Sequence, residues 1–411
     1  MSHSTYPKSV QPGIPKLGKL KNGYRRVHIG DLLYEEKRPV KLKDDEDYRL
    51  ITIKRSRGGI EERAIMKGKK ISVQSQFKIA EGDFVISKRQ IVHGACALVT
   101  SEFGGSIVSN EYSVLRTTPL IDSQYLKYLS HSVYFQQTCF HSSIGVHVEK
   151  MIFKLSDWFK WKIDIPSLDI QHKTASFLTA VDTKIEELTK KQELLEQYKK
   201  GVMQKIFSQE IRFKADDGSD FPEWEEKYLN EYLQIKATYG IVKAGNFLDS
   251  GIKMVRGGDI KNSTVNTDLP LVSEKIAKEY KRTTLQLNDI VIALVGYPGE
   301  AAIIPNELVG HNISRAVGLL RFNQNINNYF IVQYLNSHVG RKDVLKPSAG
   351  SAQQVVNLKD LNQLKLDVPC LEEQTKIADF LSSINTKIDL VAKELENVKQ
   401  FKKGLLQQMF V

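Results

Sequence analysis

Two basic, glycine-containing stretches carry the residue types that contact nucleic acid. IKRSRGGIEER (53–63) sets Lys54, Arg55 and Arg57 beside two glycines, and VRGGDIKNS (255–263) sets Arg256, Lys261 and Asn262 beside two more. A guanidinium can bond two acceptors on a guanine edge, and an Asn amide can do the same for adenine. Glycine lets a loop backbone approach phosphates closely. Residues 54–89 hold ten Lys or Arg against four Asp or Glu. A second pair of stretches follows two strand-like runs: SKRQIVHG (87–94), with Lys88 and Arg89, and VGYPGE (295–300), with Tyr297. A polar loop, SAGSAQQ (348–354), adds Ser351, Gln353 and Gln354. Taken singly, each residue suits a solvated turn equally well. The recurrence of both basic loops at matching places in the chain singles them out.

Catalytic chemistry finds no such foothold. There is no GxxxxGK[ST] phosphate loop, and GlyGlyAspIle at 257–260 is not a dinucleotide fingerprint. An Asn/Asp-Pro-Pro-aromatic tetrapeptide, expected of an amino-methyltransferase, is absent. Asp44, Asp45, Glu46 and Asp47 form a charge run that reads as a solvated loop. The nine histidines lack ligand spacing, so no metal site and no catalytic residue is assigned. Cys96, Cys139 and Cys370 are scattered and odd in number, which suits packing in a reducing compartment. The net charge of +11 points to a polyanionic partner. No apolar run is long enough to span a membrane, and the N-terminus has no apolar core of a signal peptide. A cytoplasmic protein is expected.

The elements that must position the loops are written twice. Shifted by 203, residues 164–208 fall on 367–411 without a gap, and 19 of the 45 positions are identical. The matches include Pro166/Pro369, Gln171/Gln374, Phe177/Phe380, Gly201/Gly404 and Phe207/Phe410. At shifts of 200 to 206, Tyr24 answers to Trp224, GDFVISK (82–88) to NDIVIAL (288–294), and SNEYSVLR (109–116) to SRAVGLLR (314–321). The chain is a tandem duplication of a unit of about two hundred residues. Each repeated end is helical: Leu178, Ile185, Leu188 and Leu195 in the first, and Leu381, Ile388, Val391 and Val398 in the second, recur at three- and four-residue steps. About 40 residues make a rod of roughly 60 Å. Whether the rods run straight through Asp182 and Asn385 or kink there stays open. The diverged parts alternate like half-buried strands at 48–54, 77–87 and 108–116, and 123–140 reads as an amphipathic helix. The boundaries are a first module at 1–163 (with an N-terminal segment 1–23), a helical region at 164–215, a second module at 216–366 and a second helical region at 367–411.

P-x-L-x-x-Q-x-K-x-A-x-F-L followed by KKG-x-x-Q-x-x-F, present twice around two unlike modules, resembles the specificity (S) subunit of type I restriction–modification enzymes over nearly the whole chain. The resemblance implies an α+β fold of two globular target-recognition domains joined by two long antiparallel conserved helices, a pseudo-two-fold tandem repeat. It implies sequence-specific binding of a bipartite double-stranded DNA target, one half-site per module, with the helices as ruler and as dock for methyltransferase subunits. The expected partners are two modification subunits, which use S-adenosylmethionine, and two restriction subunits, which use ATP and Mg2+. The chain itself would be non-catalytic and hold no cofactor. The half-sites should lie about one DNA turn apart, roughly 34 Å. A subunit of a methylation-only or other phage-defence complex is the alternative. Because the matching start of a module (23–33) precedes the first repeat, the duplication reads as circular in space, and the two termini are expected close together. The bases recognised are not legible.

Overall fold

A computed structural model describes residues 13–348 and 354–410. The chain divides into two compact units of discontinuous sequence. One holds the chain up to Leu188 together with Glu394 onward, and the other is Thr189–Lys393. Each long helix is therefore shared: its first part belongs to one unit and its last part to the other.

In the first unit, Tyr24–His28 pairs antiparallel with Lys162–Pro166, directly before the first long helix, Leu168–Phe207. A four-stranded antiparallel sheet follows in the order Leu33–Glu35, Tyr112–Thr117, Phe84–Ser87, Cys96–Leu98. The second unit repeats this plan. Glu225–Tyr228 pairs with Lys365–Val368 before the second long helix, Leu371–Met409, and the sheet order is Leu233–Tyr239, Val317–Phe322, Ile290–Ala293, Ala301–Ile303. The units diverge in what is added. The first carries a five-stranded sheet in the order Pro39–Val40, Gln76–Lys78, Ile107–Ser109, Asp47–Ile53, Ile60–Lys67. The second carries a three-stranded one, Leu271–Val272, Ile252–Val255, Asn312–Ile313, and a small hairpin, Ile260–Lys261 with Thr264–Val265.

Shared burial explains which residues the two copies keep. The Gln171 amide is fully buried; it donates to Leu120 and Pro166 carbonyls and accepts from the Asp122 amide. Gln374 repeats the pattern with Pro369 and Asn327. Buried Asp83 is bonded by Arg38 and Arg116, and its counterpart Asp289 by Arg321. Such a fork pairs the buried carboxylate with an opposite charge and with hydrogen bonds to both its oxygens, which is the condition for burying charge.

The helix ends are held the same way. Phe207 lies against Phe330 and Tyr334, and Trp224 lies on the other contact of Phe330. In the first unit Phe410 lies on Tyr125, the positional match of Phe330, with ring centroids 5.5 Å apart. Burial and, secondarily, neighbouring Tyr24 push the Tyr125 hydroxyl up. Phe410 is thus part of the first unit's core, as Phe207 is of the second's. The extreme termini themselves lie outside the described residues. Within the first unit, Lys184 pairs with Glu394 and Asp182 with Lys402, so the two helix segments run side by side in opposite directions.

Both long helices are uninterrupted through Asp182 and Asn385. The seam residues behave as a seam: Leu178, Leu188, Leu381 and Val391 are buried, and Ile185, Leu195, Ile388 and Val398 are half-buried. The single helix expected over 123–140 is two, Ser123–Leu129 and Val133–His141. Ser132 caps the second by accepting from the Phe135 amide, a bond that ends one helix and starts the next. Ser337 does the same between Asn328–Asn336 and His338–Leu345. The runs 77–87 and 108–116 likewise each divide into two strands, turning at Gly82 and at Asn110–Glu111.

Candidate nucleic-acid interface

In the first module the loop after Asp47–Ile53 is held in an unusual shape. Ser56 and Arg57 both have φ of 55°, a left-handed conformation that side chains rarely adopt. Bonds from two other segments hold it there. The Arg57 amide donates to the Gly94 carbonyl at 2.8 Å. Its guanidinium turns inward, donating to the Ser130 carbonyl and the Gln136 amide oxygen. Buried Gln136 in turn donates to the Ile91 and Val92 carbonyls. Arg57, expected as a DNA contact, is therefore an anchor that ties the 54–58 loop to the 87–94 loop.

Arg55 points the other way and is 55% exposed. Its Nε donates to Gln90 Oε1 at 2.8 Å and its Nη2 to Glu149 Oε2 at 3.1 Å. Lys54 pairs with Glu61 across the hairpin. The Lys88 ammonium donates to the Asn110 carbonyl, and Arg89 pairs with Glu111 on the adjacent turn. Lys54, Arg55 and Arg89 thus stand exposed with carboxylates beside them, an arrangement that lowers their net field.

The second module brings its equivalent loops together by closer contact. A Cβ on Gly257 would lie 2.1 Å from the Val295 carbonyl, so only glycine lets the 256–263 and 294–300 loops touch. Arg256 donates Nε and Nη2 to the two oxygens of Asp259, each at 2.9 Å. Asn262 and Ser263, with φ of 53° and 61°, make the two-residue turn of the small hairpin, a conformation Asn tolerates best among non-glycine residues. The Asn336 amide fixes that turn through Ser263. The Lys261 ammonium lies 5.9 Å from the Tyr297 ring centroid, and both side chains are exposed. Arg256, Lys261, Asn262 and Tyr297 therefore belong to one surface.

A third loop joins each surface. The Val356 amide donates to the Leu294 carbonyl, and at the matching place the Phe153 amide donates to the Lys88 carbonyl. Gln354 is exposed, and Ser351 and Gln353 lie outside the described residues. The first-module counterpart, residues 145–151, holds Val146, His147, Glu149 and Lys150. It was not read from the sequence, because it carries no cluster of cations. The repeat offset of 203 that places it opposite SAGSAQQ was the available signal.

Among the described residues no group of three or more His, Cys, Asp or Glu could hold a metal ion, and no helix is long and apolar enough to cross a membrane. Cys96 and Cys139 are buried and Cys370 half-buried. Burial pushes the first two thiols up.

Duplicated scaffolds that each bring two basic, exposed loops together are the architecture of a DNA-recognition protein. The type I restriction modification DNA specificity domain matches residues 23–197 and again 222–400, and the chain belongs to that family. The MjaVIII specificity subunit of Methanocaldococcus jannaschii is 25% identical over 408 residues, covering 92% of this chain and 90% of that one. The EcoBI specificity subunit of Escherichia coli is 30% identical over 179 residues, covering 43% of this chain and 38% of that one. Among solved structures, the HsdS subunit from Thermoanaerobacter tengcongensis covers 96% of this chain and 99% of its own, with 18% identity and a TM-score of 0.52. The S subunit from M. genitalium covers 97% and 99%, with 18% identity and a TM-score of 0.57. These structures share the fold. The chain is a type I restriction–modification specificity subunit, a DNA-recognition component that assembles with the other subunits of its system.

Proposed function

We propose that each module reads one half of a bipartite double-stranded DNA target through its exposed basic loops, while the long helices set the gap and dock two methyltransferase subunits, and two restriction subunits join to make the cutting complex. The observation that carries this is the pairing, in each unit, of a loop beside its own added sheet with a loop of the shared four-stranded sheet: 54–58 with 87–94, and 256–263 with 294–300. One scaffold presenting two unlike faces suits two unlike half-sites. Lys54, Arg55, Lys88, Arg89, Arg256, Lys261, Asn262, Tyr297, Ser351, Gln353 and Gln354 are the assigned contacts. Arg57 positions Arg55 instead.

The chemistry is recognition. Arg55 and Arg256 are each held along the Nε/Nη2 side of the guanidinium, Arg55 by Gln90 and Glu149 and Arg256 by Asp259. A guanidinium has five donors in a rigid fork, so this leaves the Nη1/Nη2 end to meet a guanine O6/N7 edge. Holding the side chain beforehand reduces the entropy lost on binding. Lys54, Lys88 and Lys261 supply phosphate neutralisation, which makes affinity fall steeply with salt. Catalysis belongs to the partners: S-adenosylmethionine serves the modification subunits, and ATP with Mg2+ the restriction subunits. The chain works in the cytoplasm and has no reaction of its own.

Sequencing of methylated positions made by the reconstituted complex tests this. A target of two separated half-sites is expected. Inserting four residues after Lys190 adds about 6 Å of helix and should change the gap while leaving both half-site sequences alone. An unchanged gap would remove the ruler role, and a continuous target would remove the division of labour between modules.

A further inference from the structure

We infer that Arg55 and Glu149 act together as the reader of a single G·C base pair in the half-site of the first module. The inference rests on the DNA-reading function proposed above. The two side chains come from loops 94 residues apart in sequence, and both stand in solvent, 55% and 63% exposed. Solvated surface pairs seldom hold one geometry, yet here the arginine is fixed from behind. Gln90 holds Arg55 Nε, and His93 Nε2 lies 3.0 Å from Glu149 Oε1. Gln90 and His93 sit on the 87–94 loop, which Arg57 and buried Gln136 tie down. Arg55 is therefore held through the core of the module, and its outward edge is preset with Glu149 beside it.

That edge presents a donor and an acceptor side by side: Arg55 Nη2 and Glu149 Oε2, 3.1 Å apart. In the major groove a G·C pair presents the complement, guanine O6 as acceptor next to cytosine N4 as donor. Those two atoms are hydrogen-bonded to each other and so lie about 2.9 Å apart. Guanine N7 adds an acceptor on the Arg55 side. An A·T pair with its purine beneath Arg55 sets the guanidinium against the adenine N6 donor, and a T·A pair keeps the acceptor–donor order but places the thymine methyl, not an N7 acceptor, under the second Arg55 donor. A carboxylate amid DNA-facing cations is otherwise a liability, since phosphate repels it. Acceptance from the cytosine amino group gives it a use.

The second module lacks this device. Its arginine, Arg256, is held by Asp259, which is 8% exposed and lies behind the loop, out of reach of a base. The two modules should therefore differ in how they depend on their acids.

The test uses the complete complex with its methyltransferase subunits and a DNA library randomised across the target, comparing the wild-type chain with Glu149→Ala, Arg55→Ala and Arg55→Lys. The wild-type preference should include a G·C pair in the first half-site. Both Glu149→Ala and Arg55→Ala should lower that preference about tenfold, as expected for loss of one good base contact, and at the same position. Arg55→Lys should not restore it, because an ammonium has no fork. The second half-site should stay unchanged in every variant, which also reports that the chain is folded. Relaxation at two different positions would overturn the inference. So would a rise in affinity for all sequences in Glu149→Ala with selectivity intact, which is the behaviour of an acid that merely repels DNA. If the wild-type complex selects no sequence in either half-site, the proposed function fails, and this inference with it.

Discussion

Asp289→Ala should destabilise the second module while leaving the first unchanged. The Asp289 side chain is 1% exposed and takes three bonds: Arg321 Nε and Nη2, both at 2.7 Å, and the Gln286 amide at 2.7 Å. Arg321 is 14% exposed, so the variant leaves a cation in the core with its fork unpaired. The Thr284 carbonyl keeps one of its contacts. Breaking a buried pair from one side costs about 3–5 kcal/mol, against a total of about 5–15 kcal/mol for a domain. Denaturation followed by module-specific probes should show a new early transition. The double variant Asp289→Leu/Arg321→Met removes both charges and should recover most of the loss, since an apolar pair of similar volume often replaces a buried ion pair at little cost. The first module offers the contrast: its Asp83 is bonded by two arginines, Arg38 and Arg116, so removing either one alone should cost less. A loss below about 1 kcal/mol for Asp289→Ala, within the range of an exposed pair, would refute the reasoning, as would a double variant no better than the single.

Gly257→Ala puts a methyl 2.1 Å from the Val295 carbonyl, so the two loops must part. Methylation sequencing should show the second half-site blurred or lost and the first retained. His131 is held at a pKa of about 4 by burial first, and then by Arg57 and Lys402. The unfolded chain takes up that proton near 6.5, so stability is present above 6.5 and falls between 6.5 and about 4. The slope is about 1.4 kcal/mol per pH unit. The wild type should lose stability over that window relative to His131→Gln in urea titrations, and parallel curves would exclude the role.

What the sequence made legible is what duplication leaves in register. Beyond the Pro166 and Pro369 carbonyls, the partners of Gln171 and Gln374, like those of Phe207 and Phe410, lie far away in sequence. Each is matched because the same buried partner is waiting in the other copy, and so a shift of 203 finds them. The loops were found by charge, which locates exposed cations but says nothing of direction. Arg55 and Arg57 are two residues apart and look interchangeable, yet one faces solvent and the other a helix, because two consecutive left-handed residues reverse the chain between them. The acids that fix the arginines were illegible for a different reason. Asp259 lies three residues from Arg256 and could pass for a turn residue, and Glu149 reaches Arg55 only after the chain has built a whole sheet and two helices between them. Local sequence thus identified the residues able to meet a base. Which edge of each guanidinium remains for it is decided by carboxylates whose placement is set by the fold, and there the specificity of each half-site must be sought.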